Sequence, residues 1–287
     1  MGVSLRKKKI MQKSNVIITG ADGFLGKHLC QALEEQVLCR IFKFERHRHN
    51  LLKPKSLKSL LTGAKVVIHL AGANRDTNSN LLTVNTLGTV GLIQAMSNYC
   101  PRAKLIFASS VQVNWPESFY GLTKKLAEEA IEYYCRQKLI TAVILRVTNI
   151  YGPDGKPFYN STIATFTYLL KQNKPITVRG DGSQTRDFIY VTDVVRSIIL
   201  ALKYQPKQAF EIFDICSGKE VTIRRVVETL KRISGRQIKI DYHKEKEVEE
   251  AHPISQNKKV QELLGWKPEV GLNHGLRKVM GEEIYET

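Results

Sequence analysis

NVIITGADGFLG, residues 15–26, joins an apolar β-branched run (Val16, Ile17, Ile18) to glycines at Gly20, Gly23 and Gly26. A helical pattern begins at Phe24. This is a strand, a tight glycine turn and a helix start. A helix N-terminus offers unpaired N–H groups and a positive dipole end, so it suits a phosphate. Glycines there let the backbone turn sharply and come close to a pyrophosphate. The spacing is G-x-x-G-x-x-G rather than the commoner G-x-G-x-x-G, and three glycines alone also fit an ordinary strand–helix turn.

Outward from this stretch the same texture repeats. Residues 24–35 carry Leu25, Leu29 and Leu33 on one helical face. Residues 37–44 read as a second strand ending at Glu45 and Arg46, and 56–61 as a short helix. Strands are expected at 65–70 (KVVIHL), 104–108 (KLIFA) and 141–146 (TAVILR), with helices over 81–99 and 119–137. Strands apolar throughout, alternating with helices, predict a parallel sheet covered on both faces. Such sheets bind ligands at the carboxyl ends of their strands.

After Ile150 the pattern loosens. A loop over 151–159 precedes a helix over 162–172 and a short strand over 175–178. Residues 186–193 lead into a helix running to 202, and a strand over 210–215 and a helix over 223–234 follow. Leu264-Gly265-Trp266 reads as a helix end with a glycine stop, and Pro268 follows.

Composition narrows the classes. A chain of 287 residues has room for one large α/β domain or two lobes. No apolar run reaches the length of a membrane span, and no secretory signal pattern is seen. Five scattered cysteines without a C-x-x-C pair suit a reducing cytoplasm and argue against disulfides or a thiolate metal site. The net charge of +17 invites a nucleic-acid reading. The basic residues are spread out, however, apart from Arg6 to Lys9, and no aromatic residues interleave them. A solvated basic surface with a basic tail is the preferred reading.

Tyr120 and Lys124 stand four apart at a helix start and project from one face. An ammonium one turn from a tyrosine favours the phenolate and is expected to lower its pKa towards neutrality. Such a tyrosine can take or give a proton at a hydroxyl or keto oxygen. Ser110 follows the strand over 104–108, where it could bond the same oxygen. His69 ends a strand and reads as structural, and His47 and His49 read as loop residues with no metal site.

Several motifs recur together: Thr19-Gly20-x-x-Gly23-x-x-Gly26, His69-Leu70-Ala71-Gly72, Asn85 in VNTLGT, Ser109-Ser110 and Tyr120-x-x-x-Lys124. Further on stand Arg146-x-x-Asn149-x-Tyr151-Gly152-Pro153, Gly180-Asp181-Gly182-x-x-x-Arg186-Asp187-Phe188 and Leu264-Gly265-Trp266-x-Pro268. On these motifs, over about residues 15 to 280, the chain resembles the extended short-chain dehydrogenase/reductases that act on nucleotide sugars. These are the NAD-dependent epimerases and dehydratases.

The resemblance implies a Rossmann-type, doubly wound parallel α/β sheet with a smaller C-terminal substrate-binding lobe. Residues 1–14 would be a basic flexible tail and 15–150 the NAD(P)-binding domain, to which 183–216 return. Residues 151–182 and 217–287 would form the substrate lobe. Tyr120 would be the general acid/base, Lys124 would hold the nicotinamide ribose, and Ser110 would polarise the reacting oxygen. Gly20, Gly23, Phe24, Leu25, Gly26, Leu70, Ala71, Gly72 and Asn85 would bind the cofactor. Asn149, Asn160 and Arg186 would bind the substrate.

Glu45 stands where an acid binds the adenosine ribose and favours NAD; Arg46 and Arg48 could instead hold the 2′-phosphate of NADP. The implied function is a nucleotide-sugar epimerase or 4-keto-sugar reductase in the cytoplasm. A dehydratase or a silent NAD(P)-binding regulator is the alternative. Relatives dimerise through the helices over 81–99 and 119–137, so a homodimer is expected, with no nucleic-acid or membrane partner.

Departures from the family pattern bear on the substrate. The segment from Ser110 to Tyr120 is short, and no Thr-Asp-Glu run of the 4,6-dehydratases is present. No arginine lies between Gln237 and Asn273 to meet a diphosphate, and Lys246 is the expected substitute. Residues 157–171 look most like the 4-keto-hexose reductases of capsular polysaccharide pathways.

Overall fold

The computed structural model describes residues 14–281 apart from 38, 116, 160 and 244–254. It divides into two compact units, Met1–Arg146 with Val195–Phe213, and Val147–Val194 with Asp214–Thr287. The segment returning to the first unit is therefore shorter than the 183–216 expected.

The first unit opens with β1 (Asn15–Thr19), α1 (Phe24–Glu35) and β2 (Arg40–Lys43). Strand β2 is shorter than the 37–44 expected. Val37 closes α1 with φ +48, so the chain becomes extended only at Arg40. A 3-10 turn (Pro54–Leu57) and α2 (Lys58–Leu61) precede β3 (Ala64–His69).

The helix expected over 81–99 has three parts: α3 (Asn78–Leu81), a π-helical turn (Leu82–Leu87) and α4 (Gly88–Tyr99). Next come β4 (Lys104–Ser110), a 3-10 turn (Val111–Asn114), α5 (Phe119–Arg136) and β5 (Thr141–Val147).

In the second unit, β6 (Asn149–Tyr151) takes in the first residue of the loop expected over 151–159. It is followed by α6 (Thr162–Lys171), β7 (Ile176–Arg179) and β8 (Thr185–Tyr190). Helix α7 (Val191–Lys203) and β9 (Phe210–Ile215) carry the chain across the unit boundary. Then come β10 (Glu220–Thr222), α8 (Ile223–Ser234), β11 (Ile240–His243), α9 (Lys258–Leu264) and α10 (Leu272–Met280).

Six strands form one sheet in the order β2-β1-β3-β4-β5-β9. The pairs β1–β2, β1–β3 and β3–β4 are parallel, with Ile17 opposite both Phe42 and Val67. This is the Rossmann-type α/β sheet. The chain runs outward from β1 to β2 and then crosses to β3 on the other side, so the order reverses at β1. In sheets of this kind ligands bind outside the carboxyl ends of the strands at such a reversal. Ile17, Val67, Leu105 and Phe107 of the sheet pack with Leu92 and Met96 of α4 and Ala127 and Ile131 of α5.

In the second unit β8 pairs with β6 in parallel and β10 antiparallel, and β7 pairs with β11. Trp266 is fully buried and donates its indole N–H to the Asp193 carbonyl at 2.9 Å. The Asp193 carboxylate accepts from the N–H groups of Glu269 and Val270 at 3.0 Å each. The Leu264-Gly265-Trp266 motif is thus a structural anchor. Gly265 adopts φ +67 to end α9 and free the chain for it.

Candidate active site

Gly20 turns the chain out of β1 with φ +73. A Cβ there would stand 2.6 Å from Ala71 N and 2.7 Å from the Leu70 carbonyl carbon, so the exits of β1 and β3 lie against each other. A Cβ on Gly26 would stand 2.1 Å from the Gly20 oxygen. Gly23 differs: its φ is −73, and its Cβ would meet only that same oxygen, at 3.1 Å. The outer glycines therefore serve the packing of the turn, and the middle one leaves backbone open on its outer side. Gly23 caps α1 without a side-chain bond, and no acid stands in the first turn. The first N–H groups of α1, at Phe24 and Leu25, have no intrahelical acceptor and suit an anion.

At the carboxyl end of β2, Glu45 Oε2 is buried without a hydrogen bond, although the side chain as a whole is 42% exposed. The Arg48 Nε stands 3.2 Å away as an ion pair. Arg46 is exposed. A buried carboxylate oxygen with no hydrogen bond, although His47 and Arg48 lie 3.5 and 3.2 Å from it, fits a ribose hydroxyl, and its charge opposes a 2′-phosphate.

Between the strands runs a buried polar chain. Ala71 N–H donates to Thr19 Oγ1 at 3.3 Å, and Thr19 Oγ1 lies 2.6 Å from His69 Nδ1. His69 Nε2 lies 3.0 Å from Thr89 Oγ1, which itself donates to the Asn85 carbonyl at 2.6 Å. Because the Thr89 proton is committed to Asn85, His69 must donate through Nε2 and accept at Nδ1. It is neutral, and burial, with Lys124 nearby, pushes its pKa down to about 3.

Asn85, in the π-helical turn, accepts from Ala73 N–H at 2.8 Å and donates to the Ala73 carbonyl at 2.8 Å and Thr123 Oγ1 at 3.0 Å. Both amide protons are thereby spent. Asn85 ties the loop after β3 to α5, and a direct bond to a cofactor through that NH2 group is not open to it.

Ser110, Tyr120 and Lys124 are brought together by that tie and by a second. Gly121 packs so closely on the 3-10 turn that a Cβ would stand 2.0 Å from the Gln112 oxygen. Ser118 Oγ donates to Gln112 Oε1 at 2.8 Å and accepts from Gly121 N–H at 3.0 Å. Ser110 Oγ accepts from Gln112 N–H at 3.2 Å and hydrogen-bonds Tyr120. The short Ser110–Tyr120 segment is thus a tight clasp. Gln112, Ser118 and Gly121 escape sequence reading, since only the fold makes them neighbours.

Lys124 is buried. Its Nζ donates to the Ala108 carbonyl at 2.6 Å and lies 4.4 Å from the centre of the Phe107 ring. Burial pulls its pKa down to about 8, with the Glu128 charge opposing. The expectation that Lys124 lowers the Tyr120 pKa does not hold in this state. Burial raises Tyr120 to about 12, and only the Ser110 bond acts against it. Desolvation of the phenolate outweighs one hydrogen bond.

Asn149 and Arg186 belong to the second unit. Asn149 Nδ2 donates to the Asp187 carbonyl at 3.0 Å, and Arg186 Nη1 to the Thr185 carbonyl at 2.7 Å. Buried Asp187 receives the N–H groups of Ser217 and Gly218 at 2.9 and 2.8 Å and shapes the loop after β9. Asn160 and Lys246 lie outside the described residues.

This arrangement defines a class: a dinucleotide turn at the switch point of a parallel sheet, with a serine–tyrosine–lysine group at the end of the fourth strand. The model of the NAD dependent epimerase/dehydratase family matches residues 16–216, and the chain belongs to that family. A Methanocaldococcus jannaschii protein provisionally named UDP-glucose 4-epimerase is 31% identical over 92% of this chain and 97% of its own. The GDP-6-deoxy-D-mannose reductase of Pseudomonas aeruginosa is 28% identical over 93% and 96%. The crystal structure of UDP-glucuronic acid 4-epimerase from Bacillus cereus, in complex with UDP-glucuronic acid and NAD, is 26% identical. It covers 93% of this chain and 98% of its own, with a TM-score of 0.81.

Proposed function

We propose that the chain is an NAD-dependent nucleotide-sugar 4-epimerase. The observation that carries this is the convergence of Ser110, Tyr120 and Lys124 at the end of β4, in the unit that holds the glycine turn. The open backbone at Gly23 and Phe24 would hold the pyrophosphate, and Glu45 Oε2 would accept from the adenosine ribose. NAD is favoured over NADP because the Glu45 carboxylate would repel a 2′-phosphate, and Arg48 is already paired with it. When bound, the nicotinamide supplies hydride chemistry at the sugar C4 and, oxidised, a positive charge near Tyr120.

The protein's part is proton transfer and positioning. Tyr120, protonated at neutral pH in this state, must lose its proton to act as base on the C4 hydroxyl, and added positive charge favours that loss. Ser110 steadies the reacting oxygen. Lys124 stays cationic below about pH 8 and supplies a charge that moves little. The proton taken from the hydroxyl returns from Tyr120 when the C4 keto group is reduced. Asn149 and Arg186 would meet the nucleotide sugar.

A 4-keto-sugar reductase is the second reading, favoured by the Pseudomonas relative. A panel of UDP-, GDP- and dTDP-sugars, followed by 340 nm absorbance and product identity, separates the two. An epimerase gives the C4 epimer with no net absorbance change; a reductase consumes reduced cofactor mole for mole. A homodimer in the cytoplasm completes the reading, and sedimentation tests the dimer.

A further inference from the structure

Tyr120, Lys124 and Glu128 recur every four residues along α5, so they share one face. Glu128 has no evident place in proton transfer, yet its side chain is only 2% exposed. Arg146, at the end of β5, grips it: Nε donates to Oε1 and Oε2 at 3.1 Å each, and Nη2 to Oε2 at 2.6 Å. A carboxylate is costly to bury, and two parallel N–H bonds hold it charged in one orientation. Lys124 stands one turn from Glu128 on one side and one turn from Tyr120 on the other along α5. On β4 it meets the Ala108 carbonyl and the Phe107 ring, and neutral His69 is close enough to feel its charge.

We propose that Glu128, clamped by Arg146, is a positioning residue: its carboxylate keeps the buried Lys124 ammonium charged and aligned for Tyr120. Burial alone works to discharge Lys124, and a neutral amine would leave Tyr120 without a nearby cation. Glu128 is the negative charge set against that loss. Arg146 keeps Glu128 from turning away. The inference rests on Lys124 being a member of the site as proposed above.

The test needs neither cofactor nor substrate. Protein labelled with 13C at the lysine ε-carbon is titrated by NMR, with Lys124 assigned by its absence in Lys124→Met. Glu128→Gln is isosteric and keeps one oxygen to accept from Arg146, its NH2 facing the other guanidinium N–H, and its Lys124 midpoint falls by about one pH unit. In Arg146→Gln, which frees the Glu128 carboxylate to turn away from Lys124, the midpoint also falls. Should Glu128→Gln fail to fold, Glu128→Asp carries the test, since withdrawing the carboxylate must also lower the midpoint. Midpoints that stay at the wild-type value in folded variants overturn the proposal, because a merely structural clamp would cost stability and move neither. A shifted midpoint in a protein inactive on every nucleotide sugar sinks the proposed function and leaves this inference standing. An active protein with unmoved midpoints does the reverse.

Discussion

Replacing Gly26 and Gly23 separately by alanine separates the packing of the glycine turn from its binding role. In Gly26→Ala the new Cβ would stand 2.1 Å from the Gly20 oxygen and 2.8 Å from two Ala21 backbone atoms. No side chain can swing aside, so backbone must move. Overpacking of this kind costs about 1–3 kcal/mol, and here the upper end applies. Alanine regains about 1 kcal/mol of helix propensity. The net loss is about 2 kcal/mol, or roughly 4–8 °C in Tm for a unit of this size.

Gly23→Ala meets one atom at 3.1 Å with φ already −73. Its cost, mainly a poorer N-cap, is below about 1 kcal/mol. Its methyl nevertheless rises from the backbone assigned to the pyrophosphate, and NAD affinity falls at least tenfold, about 1.4 kcal/mol. Thermal melts and calorimetric titration with NAD read the two effects. Wild-type affinity in Gly23→Ala, or a wild-type melting temperature in Gly26→Ala, refutes the assignment of the turn.

Acid stability tests His69. The folded state binds its proton only near pH 3, the unfolded chain near 6.5, so stability falls as pH drops through this window. The loss is about 1.4 kcal/mol per unit, roughly 2 kcal/mol by pH 5, and His69→Gln should flatten that slope in urea melts. Asp193→Asn puts an N–H donor against the backbone N–H of Glu269 or Val270. About 1–3 kcal/mol should be lost from the second unit, seen as early exposure of Trp266 by fluorescence.

The parts of the fold legible in the sequence are those written locally. Strands β1, β3, β4 and β5 are continuous apolar runs, and α1 and α8 begin and end near where period and capping put them. The π-helical turn at Leu82–Leu87 is invisible, because one inserted residue per turn leaves the surrounding periodicity nearly intact. Strand β6 is three residues long within a stretch rich in glycine and proline. In the site, residue types pointed to Ser110, Tyr120 and Lys124, but the electrostatics did not follow from spacing. Spacing suggests a lysine favouring the phenolate, yet burial raises Tyr120 and the opposing influence comes from Ser110. Long-range partners such as Asp193 with Trp266, or Asn85 with Ala73 and Thr123, become readable only once the chain is folded.

In the proposed function Tyr120 moves the proton at a sugar hydroxyl while the glycine turn holds the dinucleotide. The direct measurement compares wild type and Tyr120→Phe on UDP-glucose and UDP-glucuronate with NAD, following the C4 epimer by NMR and NAD affinity by calorimetry. Wild type should form the epimer, and the variant should show a rate lower by roughly 100- to 10,000-fold with unchanged NAD affinity. Wild-type turnover by Tyr120→Phe would contradict it.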